Sequence, residues 1–487
     1  MHVEHAAAAA QPGGGTPHRS RAWGQTLPLV ALGVAAVALR LAAAQGDLVF
    51  DEIWSLRIAE LSDSAGQIFF MPVDNNHILN TLVLYALGPR APFWAYRVPA
   101  VVAGSLAVWF AFRLARRQGT WAAFSAVVLL GFSHPLILFG SEARGYGYLA
   151  CFTLAAWWSL EKYLERLRLR YVIKFGIASS LGFLSHLTFM FGYLAVGVYS
   201  VMKLRSRRDC WRRLVVLHRI PALTCFFLYL AYIRGMAIGG GTVVPLFDTL
   251  LATLSLMAGG PERGEAAYVA AFTMAALLAV SLATEFQRDR ARGVLFLTAI
   301  VLAPGIVLTA TGHVFIYPRY FLVSMIFGYV AIGSLFGRWL QTGGLGRTTA
   351  SLLLAAYVAC NLAPVARLIG QGRARYTPAV RWMAEQTAGP NVTIASDHDI
   401  RNGWLVEFYA KRESQSLSRS AKQFVYVTST EYGQQGTEWF LRHTFSGDPE
   451  LPNSLTDPFG NKYELLQVFP ADSISGWTWW VYRRVTH

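Results

Sequence analysis

The 487-residue chain is 54% hydrophobic and only 15% charged, with a mean hydropathy of +0.37, which excludes an ordinary soluble enzyme of this size. Its net charge of +15 suggests a nucleic-acid partner, but residues 371–487 hold 12 Lys/Arg and 12 Asp/Glu, so the whole basic excess lies among apolar blocks. That is how loop charges orient a membrane protein, and no nucleic-acid partner is expected.

Residues 1–25 are rich in Ala, Gly and Pro and read as a disordered cytoplasmic tail. A first span is expected at 27–45, with Arg40 near its outer end, where a long side chain can snorkel. Leu41–Gln45 imitates a signal-peptidase site, but the apolar block is long for a signal core and more spans follow. These are expected at 94–113, 120–138, 146–161, 171–185, 187–202, 214–233, 267–284, 293–311, 320–337 and 348–367. The expected fold is a polytopic α-helical membrane protein with about 11 transmembrane helices and a small C-terminal α/β extra-membrane domain.

Charge counting orients this topology. With the N-terminus cytoplasmic, the cytoplasmic segments hold 22 Lys/Arg and the outer ones 7. An odd number of spans then places residues 371–487 outside, in the periplasm if the membrane is a bacterial inner (plasma) membrane. Within the long first outer loop, 46–93, the amphipathic stretch Ile78–Leu87 suits a helix lying in the interface. The loop at 234–266 carries Leu246–Met257, which is short for a span and reads as interfacial or re-entrant. In the C-terminal segment, Ala379–Ala388, Trp404–Lys411 and Glu438–His443 read as helices; Asn391–Ser396, Gln423–Ser429, Tyr463–Phe469 and Trp477–Arg483 read as strands. The organisation is thus a tail (1–25), a transmembrane catalytic domain (26–370) and a periplasmic domain (371–487). The four cysteines lie outside the last of these, so no disulfide framework is implied.

Asp51-Glu52 follows the first span directly, and two ionisable carboxylates at an apolar edge are costly unless they have a role. Deprotonating an acceptor hydroxyl needs such a group; the alternative is that Asp51 caps a helix starting near Ile53 while Glu52 faces solvent. Asp74-Asn75-Asn76-His77 is a second polar run in the same loop. Asp74 or Asn75 is a natural N-cap there, and His77 is placed to face Asp51. Glu142-Ala143-Arg144-Gly145-Tyr146 fills a tight outer turn, where Arg144 can take a phosphate bidentately or pair locally with Glu142. His186 occupies the next outer turn. His313 and Tyr317-Pro318-Arg319-Tyr320 lie at the outer start of a late span, and Arg319 has no acidic sequence neighbour. All these residues fall on one side of the membrane. A carboxylate base and phosphate-binding arginines on one face fit transfer from a phosphate-linked amphipathic donor. No zinc spacing, Walker loop, nucleophile elbow or Cys motif competes; no cofactor is expected and a divalent metal is not indicated.

The pattern resembles the GT-C superfamily of integral-membrane glycosyltransferases, in the branch of protein O-mannosyltransferases, lipid A aminoarabinose transferases and galacturonosyltransferases. The likeness covers about residues 27–370. It is carried by Arg40 ahead of Asp51-Glu52, Tyr96-Arg97-Val98-Pro99, Glu142-Ala143-Arg144-Gly145-Tyr146, Ser185-His186 and Pro318-Arg319-Tyr320. The resemblance implies Asp51 as catalytic base, a polyprenyl-phosphate monosaccharide donor, inversion at the anomeric carbon and no nucleotide sugar. Two features depart from it. A His-Pro-Pro-like stretch of many relatives is His77-Ile78-Leu79-Asn80 here, and an Arg after the acidic pair is replaced by Ile53-Trp54-Ser55. The expected machinery is Asp51 and Glu52 in catalysis, with Arg144 and Arg319 on the donor phosphate. Asn76, His77, Glu142, Tyr146, His186 and Tyr320 are expected around the substrate. The expected partners are the donor, a lipid or glycan acceptor and membrane lipids. A transporter or flippase of lipid-linked sugars would bind the same ligands without chemistry, but would place broken helices and polar residues inside the bundle. A membrane scaffold would not need the shared-side cluster.

Overall fold

A computed structural model describes residues 18–485 except 240, 242, 313–314, 417–421, 432–435, 446–448 and 472–473, with backbone alone for 18–27 and 415–416. Helix α1 (His18–Ala43) leads to α2 (Phe50–Leu61) and α3 (Ile78–Leu87), which lie in the first long loop. Seven helices follow: α4 (Phe93–Ala115), α5 (Thr120–Gly131), α6 (His134–Gly140), α7 (Tyr146–Arg166), α8 (Leu169–Ser185), α9 (Phe189–Leu204) and α10 (Cys210–Ala231). After α11 (Leu246–Ala258) come α12 (Glu265–Arg288), α13 (Arg290–Leu297), α14 (Ala303–Thr311), α15 (Leu322–Thr342) and α16 (Gly344–Gln371). Helix α1 begins at His18, inside the segment read as a disordered tail; residues 1–17 of that tail lie outside the described residues.

Six stretches of the described chain are long and apolar enough to cross a membrane: α4, α10, α12, the continuous α13–α14 run, α15 and α16. The pair α5–α6, bent by 59°, makes a seventh if counted as one span. The expected total of eleven is not reached by this measure. Helices α8 and α9 have 17 and 16 residues, fewer than the roughly 20 that span a bilayer unaided. Helix α7 carries Glu161, Lys162, Glu165 and Arg166 near its end. It packs between α4 and α8, and the close approach to α4 needs Gly147, where a Cβ would lie 2.4 Å from the Ala100 carbonyl oxygen. Helix α15 is the central post, buried along most of its length and lying along α5.

The α5–α6 bend opens main-chain groups inside the bundle, where water cannot satisfy them. Arg40 of α1 fills the gap. Its Nη1 donates to the carbonyls of Gly131 (3.0 Å) and Ala36 (2.9 Å), and its Nη2 to that of Leu130 (2.9 Å). From α16, Asn361 accepts from the His134 N–H at 2.7 Å. Arg40 is therefore 1% exposed and does not snorkel, because the carbonyl-rich, negative end of α5 holds the guanidinium inside. The single span expected at 120–138 is corrected at this point: it is two helices bent by 59°, with Arg40 and Asn361 reaching the break.

The C-terminal segment contains α17 (Tyr376–Gln386) and α18 (Trp404–Ser416) against a six-stranded sheet. The strands are β1 (Asn391–Ser396), β2 (Gln423–Tyr426), β3 (Trp439–Thr444), β4 (Ser454–Thr456), β5 (Lys462–Phe469) and β6 (Thr478–Arg484), in the order β2-β1-β3-β6-β5-β4. β1 is parallel to β2 and β3; β3–β6, β6–β5 and β5–β4 are antiparallel. Glu438–His443, expected as a helix, is mostly strand β3. It pairs on both sides, with Ile394 opposite Trp439 and Val481 opposite Leu441, and Trp439, Phe440 and Leu441 are all buried. A strand covered on both faces shows an unbroken apolar run instead of alternation, which hides its period.

Leu48, Phe50, Ile53 and Leu56 share one hydrophobic core with Val380, Leu405, Tyr409, Trp477 and Trp479. Helix α2 is thus built into the C-terminal domain, and its acidic pair lies where that domain meets the bundle.

Candidate active site

Helix α2 starts at Phe50 after an N-cap at Val49, so Asp51 and Glu52 occupy its first turn, at the positive end of the helix dipole. Glu52 reaches back to accept from the Val49 N–H at 2.9 Å and across to accept from the Ala143 N–H at 2.7 Å. Arg97 of α4 grips both its oxygens, Nε to Oε1 at 2.8 Å and Nη2 to Oε2 at 2.6 Å. The remaining Arg97 donors take the carbonyls of Ala44, Gln45, Gly46 and Asp47. Both side chains are 0% exposed. Burial pushes the Glu52 carboxyl up, but the Arg97 charge and hydrogen bonds outweigh it and hold it below the ordinary glutamate value. The capping alternative is therefore reversed: Glu52 is the inward residue and Asp51 the outward one.

Asp51 keeps 24% of its side chain exposed. Its Oδ2 accepts from Arg144 Nη1 at 2.7 Å and from Arg319 Nη1 at 3.4 Å. Asn75 ties the group together: its Nδ2 donates to the Asp51 carbonyl at 2.8 Å, and its Oδ1 accepts from Arg144 Nη2 at 2.6 Å. Arg144 Nη2 also lies 3.1 Å from His77 Nε2. A guanidinium only donates, so this Nε2 is the acceptor. The proton then sits on Nδ1, which donates to the Ser185 carbonyl at 3.2 Å. His77 is neutral, and burial, then Arg144 and His186, push its pKa well below the ordinary histidine value. The turn passes close to Ser185 at Gly145, where a Cβ would stand 1.9 Å from the Ser185 carbonyl oxygen.

Aromatic rings wall the cluster. Arg144 lies over the Tyr146 ring at 5.0 Å. His186 stacks on His77 at 4.9 Å and meets Tyr146 at 5.1 Å. Its Nδ1 accepts from the Thr188 N–H at 3.1 Å, and burial followed by Arg144 and Arg319 lowers its pKa to about 3. Arg319 lies over Tyr317 at 5.0 Å and Tyr320 at 5.8 Å.

Of the residues singled out in the sequence, Asp51, His77, Arg144, Tyr146, His186, Arg319 and Tyr320 come together. Three do not join them. Glu52 is committed to Arg97. Asn76 donates to the carbonyls of Ile68 (2.9 Å) and Met71 (3.0 Å), fastening the loop. Glu142 pairs with Arg373 at 3.2 Å and accepts from Ser475, so it links the C-terminal domain to the turn instead of meeting Arg144. Burial raises its pKa and Arg373 opposes the rise. Neither Asp74 nor Asn75 caps α3: the N-cap position is His77, and Asp74 accepts from the Gly239 N–H at 3.1 Å. His313 lies outside the described residues. Sequence reasoning missed the bridging role of Asn75, because four consecutive polar residues do not reveal which one faces the site. It also missed the burial of Arg97 and Arg373. Among the described residues, no three His, Cys, Asp or Glu side chains converge as around a metal ion.

Fold and site together define a helical membrane protein whose partly open carboxylate faces two guanidiniums, a net positive cluster suited to a phosphate. A family model described as dolichyl-phosphate-mannose-protein mannosyltransferase matches residues 82–234. No curated protein matches the chain. Among solved structures, ArnT from Cupriavidus metallidurans bound to undecaprenyl phosphate gives a TM-score of 0.51 at 14% identity, covering 94% of this chain and 98% of that one. The oligosaccharyltransferase of Archaeoglobus fulgidus, in complex with zinc and sulfate, gives 0.47 at 12% identity, covering 85% of this chain and 67% of that one. The first of these likenesses shows the fold. The chain resembles the GT-C superfamily of integral-membrane glycosyltransferases both in a family model and in its fold.

Proposed function

We propose that the chain is a glycosyltransferase that moves a monosaccharide from a polyprenyl-phosphate donor to a lipid or glycan acceptor. The observation that carries this reading is the charge inventory of the cluster: one accessible carboxylate, Asp51, against two guanidiniums, Arg144 and Arg319, with neutral imidazoles beside them. The excess positive charge matches a phosphate. The undecaprenyl phosphate bound to the ArnT structure supports a polyprenyl chain on it.

In the proposed reaction the acceptor hydroxyl attacks the anomeric carbon from the face opposite the phosphate, and configuration inverts. Asp51 takes the hydroxyl proton. The bond from the anomeric carbon to the phosphate oxygen breaks, and the electron pair leaves with the polyprenyl phosphate. Arg144 and Arg319 stabilise that growing charge from fixed positions, which is where preorganised donors contribute most. Asn75 and His77 are positioning residues that aim Arg144. Glu52 holds α2 in place.

The test is Asp51→Asn in membranes supplied with a labelled polyprenyl-phosphate hexose. Transfer should fall by about 10²- to 10⁴-fold, the usual contribution of a positioned base, while binding of undecaprenyl phosphate persists. Arg144→Ala and Arg319→Ala should each weaken that binding. Undiminished transfer in Asp51→Asn would remove Asp51 as base.

The α5–α6 break favours the rival reading of a transporter. Its open backbone groups, however, are filled by Arg40 and Asn361, so the break has an evident structural use. A transporter would move labelled donor across the bilayer of proteoliposomes without forming product.

A further inference from the structure

The C-terminal domain supplies a guanidinium of its own. Asp399–Gly403 forms a π-helical turn, capped by His398, whose side chain accepts from the Arg401 N–H. Such widened turns are frequent at functional sites. The Arg401 side chain leaves this turn and lies over the rings of both Trp477 and Phe445, at 5.4 Å from each. Its Nη1 sits 3.3 Å from His443 Nε2. As at His77, the guanidinium must donate, so His443 accepts on Nε2 and carries its proton on Nδ1, facing Asp397 Oδ1 at 3.1 Å. Asn402 donates to the same Asp397 oxygen at 2.8 Å and accepts from the Trp479 indole N–H at 2.9 Å. Asn402 and Trp479 are both buried. Arg401 is therefore held by a hydrogen-bond chain anchored in the domain core. Among the described residues, its side-chain hydrogen-bond partner is the His443 imidazole and it forms no ion pair with a carboxylate.

This arrangement lies beside the Asp51 cluster. Trp477, beneath Arg401, packs on Phe50 at 5.1 Å, and Phe50 immediately precedes Asp51. Tyr317, which carries Arg319 over its ring, is within the electrostatic reach of both Arg401 and Asp51. A guanidinium stacked on aromatic faces keeps a planar edge of N–H groups and binds oxyanions in a fork.

We infer that Arg401 binds an oxyanion, a phosphate or carboxylate carried by the sugar acceptor, beside the hydroxyl that Asp51 deprotonates. The inference rests on the transferase reading of the Asp51 site and adds the class of acceptor. The C-terminal domain then contributes directly to acceptor recognition, and neutral sugars are poor acceptors.

The test uses the full chain in lipid nanodiscs, loaded with undecaprenyl phosphate and titrated calorimetrically with glucose 6-phosphate, glucuronate and glucose. Glucose 6-phosphate and glucuronate should bind at least tenfold more tightly than glucose. Arg401→Ala should abolish that preference. Arg401→Gln, which keeps the stem over the rings and a donor toward His443, should abolish it too, while its melting temperature shows that the fold is kept. Arg401→Lys should retain part of the preference. Equal binding of charged and neutral sugars to the wild type, or an unchanged preference in Arg401→Gln, would overturn the inference. Failure of the transferase reading is seen separately, as undecaprenyl phosphate binding that ignores Arg144→Ala and Arg319→Ala.

Discussion

Asp51 and Glu52 are adjacent, yet a helix advances about 100° per residue, so one turn sends one carboxylate outward and the next inward. The inward one has a structural cost attached to it. Glu52→Gln leaves the Arg97 charge buried without its partner, and stability should fall by about 3–5 kcal/mol. Denaturation of the purified chain checks this; a loss no larger than that of Asp51→Asn would contradict the buried-pair assignment. The two imidazoles give a pH dependence. In the unfolded chain each takes a proton below pH about 6.5, while in the fold both stay neutral, His186 down to about 3. The unfolded state therefore binds more protons in that window, and stability rises with pH there. Their contribution is fully present above pH about 6.5 and is lost as pH falls from there toward 3. The melting temperature should accordingly drop on acidification, and the drop should be shallower in His77→Gln and His186→Gln. An identical slope in both variants would show that neither ring is held neutral. The sequence marks Asp51, His77, Arg144, His186 and Arg319 as candidates through charge near an apolar edge. It gives no sign that Asn75 bridges two of them, since that depends on which way one loop residue turns.

At the scale of elements, amphipathic and apolar periods were informative where one face meets the core. Ile78–Leu87 is read with the same limits in sequence and structure, and Asn391–Ser396 likewise. The α5–α6 break was missed because both halves are apolar and hydropathy joins them. The local signal is Ser133-His134-Pro135, an N-cap serine followed by proline in the first turn, which starts a helix within the block. What makes the break tolerable, Arg40, lies about 90 residues away and cannot be inferred from the block itself. Arg40→Leu should orphan the Leu130 and Gly131 carbonyls at about 1–3 kcal/mol each. The measurement is the melting temperature in nanodiscs together with hydrogen exchange at residues 130–140. Unchanged exchange there would mean that Arg40 does not hold the break.

For the whole molecule, the decisive contacts join residues far apart in sequence. Asp47 accepts from the Thr377 N–H and hydroxyl, each at 2.7 Å, and the Tyr409 hydroxyl donates to the Leu48 carbonyl at 2.7 Å. No local pattern announces such pairings, which is why the C-terminal segment reads from sequence as a separate appendage. In the structure it completes the core around α2. A chain ending at residue 370 should leave Phe50, Ile53 and Leu56 facing water. Hydrogen exchange over residues 50–61 should then rise sharply and undecaprenyl phosphate binding should fall. A truncated chain that protects this helix as the full one does would contradict the shared core.

The double grip on Asp51 has a consequence for timing. Oδ2 of Asp51 already accepts from both guanidiniums, so a hydroxyl that approaches this oxygen must displace one of them. Under the proposed reaction, a donor phosphate draws Arg144 and Arg319 toward itself and releases Asp51 as the sugar arrives. The site then behaves as an interlock: an acceptor, or a stray water, that enters first finds this oxygen occupied, and the donor carries the key to its own consumption.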